Sequence, residues 1–155
     1  MPLTLRPATA GDVPAIAGII NRAFAVEAFF IDGDRTDVDE IRPMVDAGRF
    51  LLAEDEGQLV GCVLIQAEGE RGYFGLLAVE PSRQGRGAAR ALVDAAEARC
   101  RAAGCRAVDI RVVDLRRELF SFYERLGYRR TGEKPFPEGV AVKLPCRFVV
   151  MSKEL

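Results

Sequence analysis

The stretch RQGRGAARALVDAAEARC, residues 83–100, decides the fold that we expect for this chain. Its first eight residues place three arginines and two glycines directly ahead of a helical pattern rich in alanine. The start of a helix leaves four backbone N–H groups without intrahelical partners, and the helix dipole adds positive potential there. Glycine lets the backbone approach an anion closely, and arginine supplies forked donors, so the stretch predicts a phosphate-binding turn.

Length and composition limit the class of protein. The chain has 155 residues, 49% of them hydrophobic and 29% charged, with a formal net charge of −1, which is typical of a single globular domain. That charge argues against nucleic-acid binding, and no apolar run approaches the roughly 20 residues that span a membrane. The N-terminal residues MPLTLRPATAGD lack the apolar core of a signal peptide. We therefore expect a cytoplasmic protein.

The residue types that are missing exclude several kinds of chemistry. The chain contains no histidine, and its four cysteines have no CxxC spacing. Few zinc sites can be built from such a set, and Ser-His and Cys-His nucleophile pairs are excluded. We expect no metal, and we expect the cysteines to be small buried apolar residues in a reducing compartment.

The hydrophobic periodicity of the chain predicts its secondary structure. Apolar and alternating runs predict strands near residues 3–6, 49–54, 59–67, 72–79, 106–113, 128–131 and 147–152. Apolar residues at helical spacing predict helices after Asp12, near 37–47, from Gly87 to Ala103 and from Asp114 to Leu126. Because no linker or repeat interrupts these elements, we expect one mixed α/β (α+β) domain over residues 1–155.

Turn and capping residues mark the ends of several elements. Thr9 and Asp12 have the spacing of a capping box, and Asp114 is expected to cap the last helix. Glu56-Gly57 and Glu70-Arg71-Gly72 predict two tight turns, which make the three strands around them antiparallel neighbours. The apolar face of the last helix is expected at Leu115, Leu119, Phe122 and Leu126.

Three segments together resemble a known family. Gln84-Gly85-Arg86-Gly87-Ala88-Ala89 looks like the Gln/Arg-x-x-Gly-x-Gly/Ala signature of the GNAT family of N-acetyltransferases. LLAVEPS, residues 76–82, resembles the family's central strand, and ELFSFYERLGYRRTGE, residues 118–133, resembles its late helix and the strand that follows. The order and spacing agree over essentially the whole chain. The resemblance therefore implies the GNAT fold, with a mostly antiparallel sheet that splays between its fourth and fifth strands.

The resemblance also implies a cosubstrate and a reaction. Acetyl-CoA would bind with its pyrophosphate on the turn and its pantetheine arm along the free backbone near Leu77 and Val79. An amine would attack the thioester directly, with the Val79 N–H stabilising the oxyanion and Tyr123 protonating the departing sulfur. The residues implied for acetyl-CoA binding are Leu77, Ala78, Val79, Gln84, Gly85, Arg86, Gly87, Ala88, Ala89 and Arg90.

The chain departs from the family pattern at several positions. Arg116 and Leu119 stand where many members carry Asn and Ala, and Tyr73 stands where some members place a glutamate base. The base is therefore unassigned. Four carboxylates are candidates, and each is also explained as an ordinary exposed side chain: Glu27, Glu68, Glu70 and Glu80.

The acceptor amine is expected between the first helices and the last loop. That placement brings Phe24, Glu27, Phe29 and Phe30 to face KPFPEGVAVKLPC, residues 134–146. Small-molecule amines, protein N-termini and lysine side chains all stay open as acceptors. A homodimer also stays open, since dimers are common in the family that the chain resembles.

Three functions other than acetyl transfer are compatible with parts of the sequence. A dinucleotide site would use Gly85 and Gly87 in a partial GxGxxG frame, with Asp109 downstream, but Arg90 occupies the third glycine position. A non-catalytic acyl-CoA-binding or sensor module would keep the fold without turnover, which the unassigned base allows. A purely structural interaction domain would leave the arginine-glycine turn unexplained.

Overall fold

The computed structural model of the chain describes residues 3–155; Met1 and Pro2, the first residues of the predicted domain, lie outside that range. Its strands are β1 (Thr4–Pro7), β2 (Phe50–Asp55), β3 (Gln58–Gln66), β4 (Arg71–Val79), β5 (Ala107–Val113), β6 (Arg129–Pro135) and β7 (Arg147–Glu154). Its α-helices are α1 (Val13–Ala23), α2 (Val38–Asp46), α3 (Ala88–Ala102) and α4 (Arg117–Arg125).

A single seven-stranded sheet contains these strands in the order β1-β2-β3-β4-β5-β7-β6. β2, β3 and β4 are antiparallel because short turns join them, whereas β4 and β5 are parallel because α3 carries the chain back between them. β7 lies between β5 and β6 and is antiparallel to both. The predicted mixed, mostly antiparallel sheet is therefore confirmed.

Helices cover the sheet on two sides. α1 and α2 pack on one face, where Phe50 and Leu52 of β2 join their apolar cluster. α3 and α4 pack on the other face, where Leu51 and Ala53 of the same strand are buried. Burial on both faces explains why β2 and β3 are continuously apolar in sequence. Among residues 3–155, no helix has both the length and the apolar surface needed to cross a bilayer.

The predicted capping box of Thr9 and Asp12 precedes α1, and Asp37 caps α2, a cap that was not predicted. The backbone N–H of Thr9 donates to Asp12 Oδ2 at 2.7 Å, and the chain passes through a 3₁₀ turn before α1. The backbone N–H of Glu40 donates to Asp37 Oδ1 at 2.8 Å at the start of α2. Gly104 ends α3 with a φ of 90°, in the left-handed region that glycine adopts without strain.

The predicted cap of the last helix is wrong. Asp114 does not cap α4; its Oδ1 accepts from the backbone N–H of Arg147 at 3.1 Å and ties the end of β5 to β7. The buried side chains of α4 are Phe120 and Tyr123. The four predicted face residues, Leu115, Leu119, Phe122 and Leu126, are only half-buried. The buried face is therefore one residue further along the chain than predicted, with Phe120 and Tyr123 in place of Leu119 and Phe122.

The predicted turn at Glu70-Arg71-Gly72 is also displaced. Arg71 and Gly72 belong to β4, and the left-handed residue between β3 and β4 is Gly69, with a φ of 66°. Gly72 has a packing reason instead, because a Cβ at this position would collide with Cys100 on α3. The sequence pattern identified Gly72 correctly as a constrained position, but the constraint is the close approach of α3 and not a turn.

Candidate active site

β4 and β5 pair over three residues each and then separate. Arg71–Tyr73 pairs with Ala107–Asp109, while β4 continues to Val79 and β5 to Val113. We call the opening between these two strands the fork. It confirms the splay that the resemblance implied, and it leaves one edge of β4 without a neighbouring strand.

A β-bulge in β4 lies beside the fork. The register between β3 and β4 shifts between Cys62 and Leu64, because Leu76 and Leu77 together oppose one β3 residue. Leu76 has a φ of 47°, a left-handed conformation that is uncommon for a residue with a Cβ. Bulges increase local twist and redirect the strand, and they often stand next to active sites. Nothing in the residue type at this position indicates a bulge.

The backbone of Leu77 and Val79 faces the fork. The N–H of Glu80 donates to the Val60 carbonyl on β3 at 2.8 Å. Successive strand residues direct their N–H groups to opposite sides, so those of Leu77 and Val79 point away from β3. The Gln84 side chain donates to the Val79 carbonyl at 3.3 Å, in agreement with that direction. The predicted oxyanion donor thus faces the place where β5 has moved away.

The turn before α3 consists of left-handed glycines. Gly85 has a φ of 80° and Gly87 a φ of 89°, and no heavy atom lies within 4 Å of where their Cβ atoms would stand. Gly87 is the N-cap of α3, and no side chain caps the helix. The backbone N–H groups of Ala88, Ala89 and Arg90 therefore lack intrahelical partners. Together they form a donor site for an anion.

The arginines of this turn differ in their surroundings. Arg83 donates to Asp55 at 2.8 Å, so its charge is already paired with the β2–β3 hairpin. Arg90 lies 4.0 Å from Asp94, and both side chains are exposed. Arg86 is exposed and takes part in none of the ion pairs formed within residues 3–155. Arg86 and Arg90 are thus the turn cations that can reach a bound anion.

Tyr123 lies on the inner face of α4 and is 7% exposed. Its ring packs against Phe74 of β4, with 6.3 Å between the ring centroids. Burial raises the pKa of Tyr123, and the charge of Arg116 offsets part of that effect, so the hydroxyl is protonated at neutral pH. No hydrogen bond within residues 3–155 involves this hydroxyl, whereas that of Tyr128 donates to Glu97 at 2.7 Å. A buried, protonated phenol beside β4 is suited to proton donation.

A buried ion pair connects the two sides of the fork. Arg116 Nη1 donates to Glu27 Oε2 at 2.8 Å, and the two side chains are 13% and 6% exposed. Glu27 lies in the 3₁₀ helix that follows α1, and Arg116 directly precedes α4. Burial raises the pKa of Glu27, and Arg116 opposes that effect. Glu27 is therefore a partnered, buried group and not an exposed carboxylate.

The other candidate bases have partners or lie elsewhere. Glu80 accepts two hydrogen bonds of 2.9 Å from Arg22 of α1. Glu68 pairs with Arg49 at 3.2 Å, and Glu70 is exposed in the turn before β4, at the end opposite the opening of the fork. The structure thus assigns no base among these carboxylates.

The segments predicted to enclose the acceptor pack against each other. Ile31 forms an antiparallel bridge with Val142, and Lys143 Nζ donates to the Ala28 carbonyl at 2.8 Å. Phe30 is fully buried, whereas Phe29 is exposed. The two segments do meet, through the Ile31–Val142 bridge and the Lys143 contact.

A cavity of about 460 Å³ lies at the base of the fork, on the side of α1 and α2. Asp109 and Arg111 of β5 line it, because the alternate residues Ile110 and Val112 are buried against α3 and α4. The other charged or hydroxyl-bearing residues that line it include Arg35, Glu40, Tyr73 and Lys134. This cavity was not predicted from the sequence. The sequence pattern that could have indicated the cavity is DIRVV, residues 109–113, in which charged and apolar residues alternate. Such alternation indicates that one face of this central strand is not covered by a helix.

A second cavity, of about 540 Å³, lies beside α4 at the β6–β7 edge of the sheet. Arg117, Arg130 and Arg147 line it, together with Phe120. None of the predicted site residues, including those of the glycine turn, lines this cavity. The candidate site therefore consists of the fork and the first cavity.

A split sheet with a glycine turn at the start of the helix after β4 defines an acetyltransferase of the GNAT type. Residues 20–128 match the Acetyltransferase (GNAT) family, so the chain belongs to that family.

Solved structures share the fold at low sequence identity. A putative acetyltransferase, yncA from Salmonella typhimurium, solved with its cofactor acetyl-CoA, is 20% identical with a TM-score of 0.80 and covers 100% of this chain and 95% of that one. The paiA N-acetyltransferase from Thermoplasma acidophilum, in complex with coenzyme A, is 14% identical with a TM-score of 0.81 over 100% of both chains. The ribosomal-protein-S18-alanine N-acetyltransferase from Escherichia coli is 16% identical with a TM-score of 0.78, over 99% of this chain and 94% of that one.

Proposed function

We propose that this protein transfers an acetyl group from acetyl-CoA to a primary amine. The observation that carries the proposal is the position of the glycine turn directly after a strand whose last residues face an open fork. One end of this arrangement offers backbone donors to phosphate, and the other offers backbone donors to an amide-containing arm. Solved relatives of the same fold hold acetyl-CoA or coenzyme A.

The backbone around the turn fits the pyrophosphate of acetyl-CoA. Gly85 and Gly87 leave open the space that a Cβ would fill, so phosphate oxygens can reach the N–H groups that follow. Arg86 and Arg90 add charge at the rim. The proposed turn residues are Gln84, Gly85, Arg86, Gly87, Ala88, Ala89 and Arg90.

The end of β4 fits the pantetheine arm. The N–H groups of Leu77 and Val79 point into the fork and can pair with its amides as a neighbouring strand would. Ala78 between them is buried under α1, and this packing holds the backbone of its neighbours in place. The same edge therefore binds the arm and presents the Val79 N–H to the reacting carbonyl.

Acetyl-CoA would supply the thioester that the neutral amine nitrogen attacks. The C–N bond forms first and gives a tetrahedral oxyanion, and the C–S bond breaks as that intermediate collapses. The nitrogen releases its extra proton to water, since no carboxylate is assigned as the base. The Val79 N–H donates to the carbonyl oxygen while that oxygen carries negative charge. Tyr123 donates its phenolic proton to the departing sulfur, which leaves as the free thiol of CoA. No covalent intermediate with the protein is required.

The test combines binding and transfer. Calorimetry with acetyl-CoA measures binding, and mass spectrometry of an amine panel detects the acetylated products. Mass spectrometry is preferable to a thiol reagent because Cys146 is a half-exposed free cysteine that would react as well. We expect micromolar acetyl-CoA binding and transfer to at least one amine. Binding without any transfer would indicate the non-catalytic module, and binding of NADH in preference to CoA would indicate a dinucleotide site.

A further inference from the structure

The cavity at the base of the fork has more positive than negative charge. Arg71 is paired with Asp109 through two hydrogen bonds of 2.9 and 2.6 Å, and Arg35 lies 3.9 Å from Glu40. Ser152 also donates to Asp109, at 2.6 Å, so that carboxylate is fully engaged. These contacts use both carboxylates that line the cavity.

Two cations of the cavity have no carboxylate partner. Arg111 of β5 and Lys134 of β6 line the cavity, and neither takes part in an ion pair formed within residues 3–155. Lys134 lies near enough to Asp109 to help lower the pKa of that carboxyl, after the larger effect of the Arg71 hydrogen bond. An unmatched pair of cations in one concave site attracts an anionic group.

Arg111 is held in place by an aromatic ring. Its guanidinium lies over the ring of Tyr73, 5.4 Å from the centroid. The Tyr73 ring in turn lies over Gly75, where any side chain would collide with the tyrosine hydroxyl. The ring positions the guanidinium plane, and its N–H donors are left for a ligand.

The size and remaining lining of the cavity match a small molecule. A volume of about 460 Å³ falls within the range of roughly 300–1,000 Å³ that is typical of small-ligand sites. Met44, Leu64, Leu76 and Val150 supply apolar surface beside the charged residues. A ligand that fits this lining has a short apolar part and an anionic end.

We propose that the acceptor amine binds in this cavity and carries a carboxylate, which Arg111 and Lys134 bind. This inference rests on the proposed acetyl transfer. The cavity lies on the α1 and α2 side of the sheet, whereas the glycine turn leads into α3 on the other side. Anchoring a carboxylate at the base of the fork directs the amine toward the end of β4, where the Val79 N–H faces the fork. The acceptor class is therefore a small amino acid or a related amino carboxylate.

The wild-type protein tests this with matched amines. L-leucine is compared with L-leucinamide and 3-methylbutylamine, and 6-aminohexanoate with 6-aminohexanamide. Rates are expressed per concentration of neutral amine, because the amide lowers the pKa of a neighbouring amine. We expect kcat/KM for at least one carboxylate to exceed that of its amide by about tenfold or more, as a charge-assisted hydrogen bond provides. Equal values within both pairs would overturn the proposal.

Charge-neutral variants locate the effect. Arg111→Gln and Lys134→Gln should each raise KM for the preferred carboxylate by about tenfold and leave KM for its amide within twofold. Arg111→Lys should retain the preference, because it keeps a cation over the ring. Arg106→Gln is the matched control, since Arg106 is an exposed cation just before β5 that does not line the cavity. If the selectivity of Arg111→Gln or Lys134→Gln equals that of Arg106→Gln, the substituted residue does not bind the carboxylate. Unchanged acetyl-CoA affinity shows that each variant is folded.

A binding measurement separates this inference from the proposed function. Calorimetric titration of N-acetyl-L-leucine and N-acetyl-6-aminohexanoate into the CoA-bound protein reads the anion site without turnover. If no amine is acetylated but one of these carboxylates binds and the binding is lost in Arg111→Gln, acetyl transfer fails and the anion site stands. If amides and plain amines are acetylated as well as carboxylates, acetyl transfer stands and the anion site fails.

Discussion

The two sides of the fork are built from different parts of the chain. On the α3 side, the proposed acetyl-CoA site is mainly backbone, presented by consecutive residues 84–90 and by the free edge of β4. On the α1 and α2 side, the cavity is lined by side chains that come from as far apart as Arg35 and Val150. A site made of backbone N–H groups can form with many different side chains, whereas a site lined by side chains depends on the residues of this particular chain.

That difference separates what is shared from what is specific. Backbone donors at a helix N-terminus bind phosphate whatever the neighbouring side chains are, so a family can keep that site while its sequences diverge. The relatives described above retain the fold at 14–20% identity. Selectivity for the acceptor then depends on the side chains of the other side, such as Arg111 and Lys134. Substitutions on the two sides of the fork should therefore have different effects.

The largest effect is expected from Gly87→Val. Gly87 and Gly104 lie at opposite ends of α3 with φ of 89° and 90°, and both have open space where a Cβ would stand. Valine at either position should cost about 1–2 kcal/mol of stability through left-handed strain. Gly87→Val alone should lower acetyl-CoA affinity by on the order of 10³-fold, because about two charge-assisted hydrogen bonds are lost. Calorimetry and thermal unfolding of both variants measure this; equal acetyl-CoA affinities would place the phosphate site elsewhere.

Tyr123→Phe should have the next largest effect. Removing the hydroxyl should lower kcat by on the order of 10²-fold, about 2.7 kcal/mol of transition-state stabilisation, with little change in acetyl-CoA affinity. Stability should change by less than about 1 kcal/mol, since no hydrogen bond within residues 3–155 involves that hydroxyl.

Tyr128→Phe is the matched control for that experiment. It removes the hydrogen bond of 2.7 Å to the buried Glu97, so it should cost about 1–3 kcal/mol of stability and leave kcat nearly unchanged. The reverse pattern, with kcat retained in Tyr123→Phe and lost in Tyr128→Phe, would show that Tyr123 is not the proton donor.

The ion pair that bridges the fork should show strong coupling. Glu27→Leu leaves Arg116 with only the exposed Glu118 as a carboxylate partner, at 3.3 Å, and we expect a loss of about 2 kcal/mol. That is below the cost for a fully buried pair because Arg116 keeps 13% exposure. The double variant Glu27→Leu/Arg116→Leu should recover most of the loss, since burial penalises both charges. Denaturant unfolding of the three variants decides it, and additive losses would show that the pair is not energetically coupled.

The smallest effect is expected from pH. Burial raises the pKa of Tyr123, so the phenol stays protonated where an exposed tyrosine would begin to ionise, near about pH 10. With acceptor saturating, kcat should therefore change by less than about twofold between about pH 8 and pH 10. A fall in kcat with a midpoint below about pH 10, present in the wild type and absent in Tyr123→Phe, would show that the phenol is not shielded.

The element pattern and the position of the glycine turn are predictable because they depend on local chemistry. The spacing of apolar residues identifies strands and helices, and a glycine directly before an alanine-rich helix indicates a left-handed N-cap. Predictions that depended on distant partners were less successful. Asp114 has the residue type of a cap, but its carboxylate bonds to the backbone of Arg147 across the sheet. Glu27 has the residue type of an exposed base, but Arg116 is buried with it.

The sequence by itself determined the family, the order of the elements and the turn at residues 84–90, because each is written in neighbouring residues. Tertiary structure alone decided the left-handed bulge at Leu76 and the meeting of Arg111 with Lys134 in one cavity. The bulge arises from the pairing of β4 with β3, and the cavity arises where β4 and β5 separate beside α2. Such features depend on which strands are neighbours in space, and the local conformational preferences of residues do not determine which strands pair.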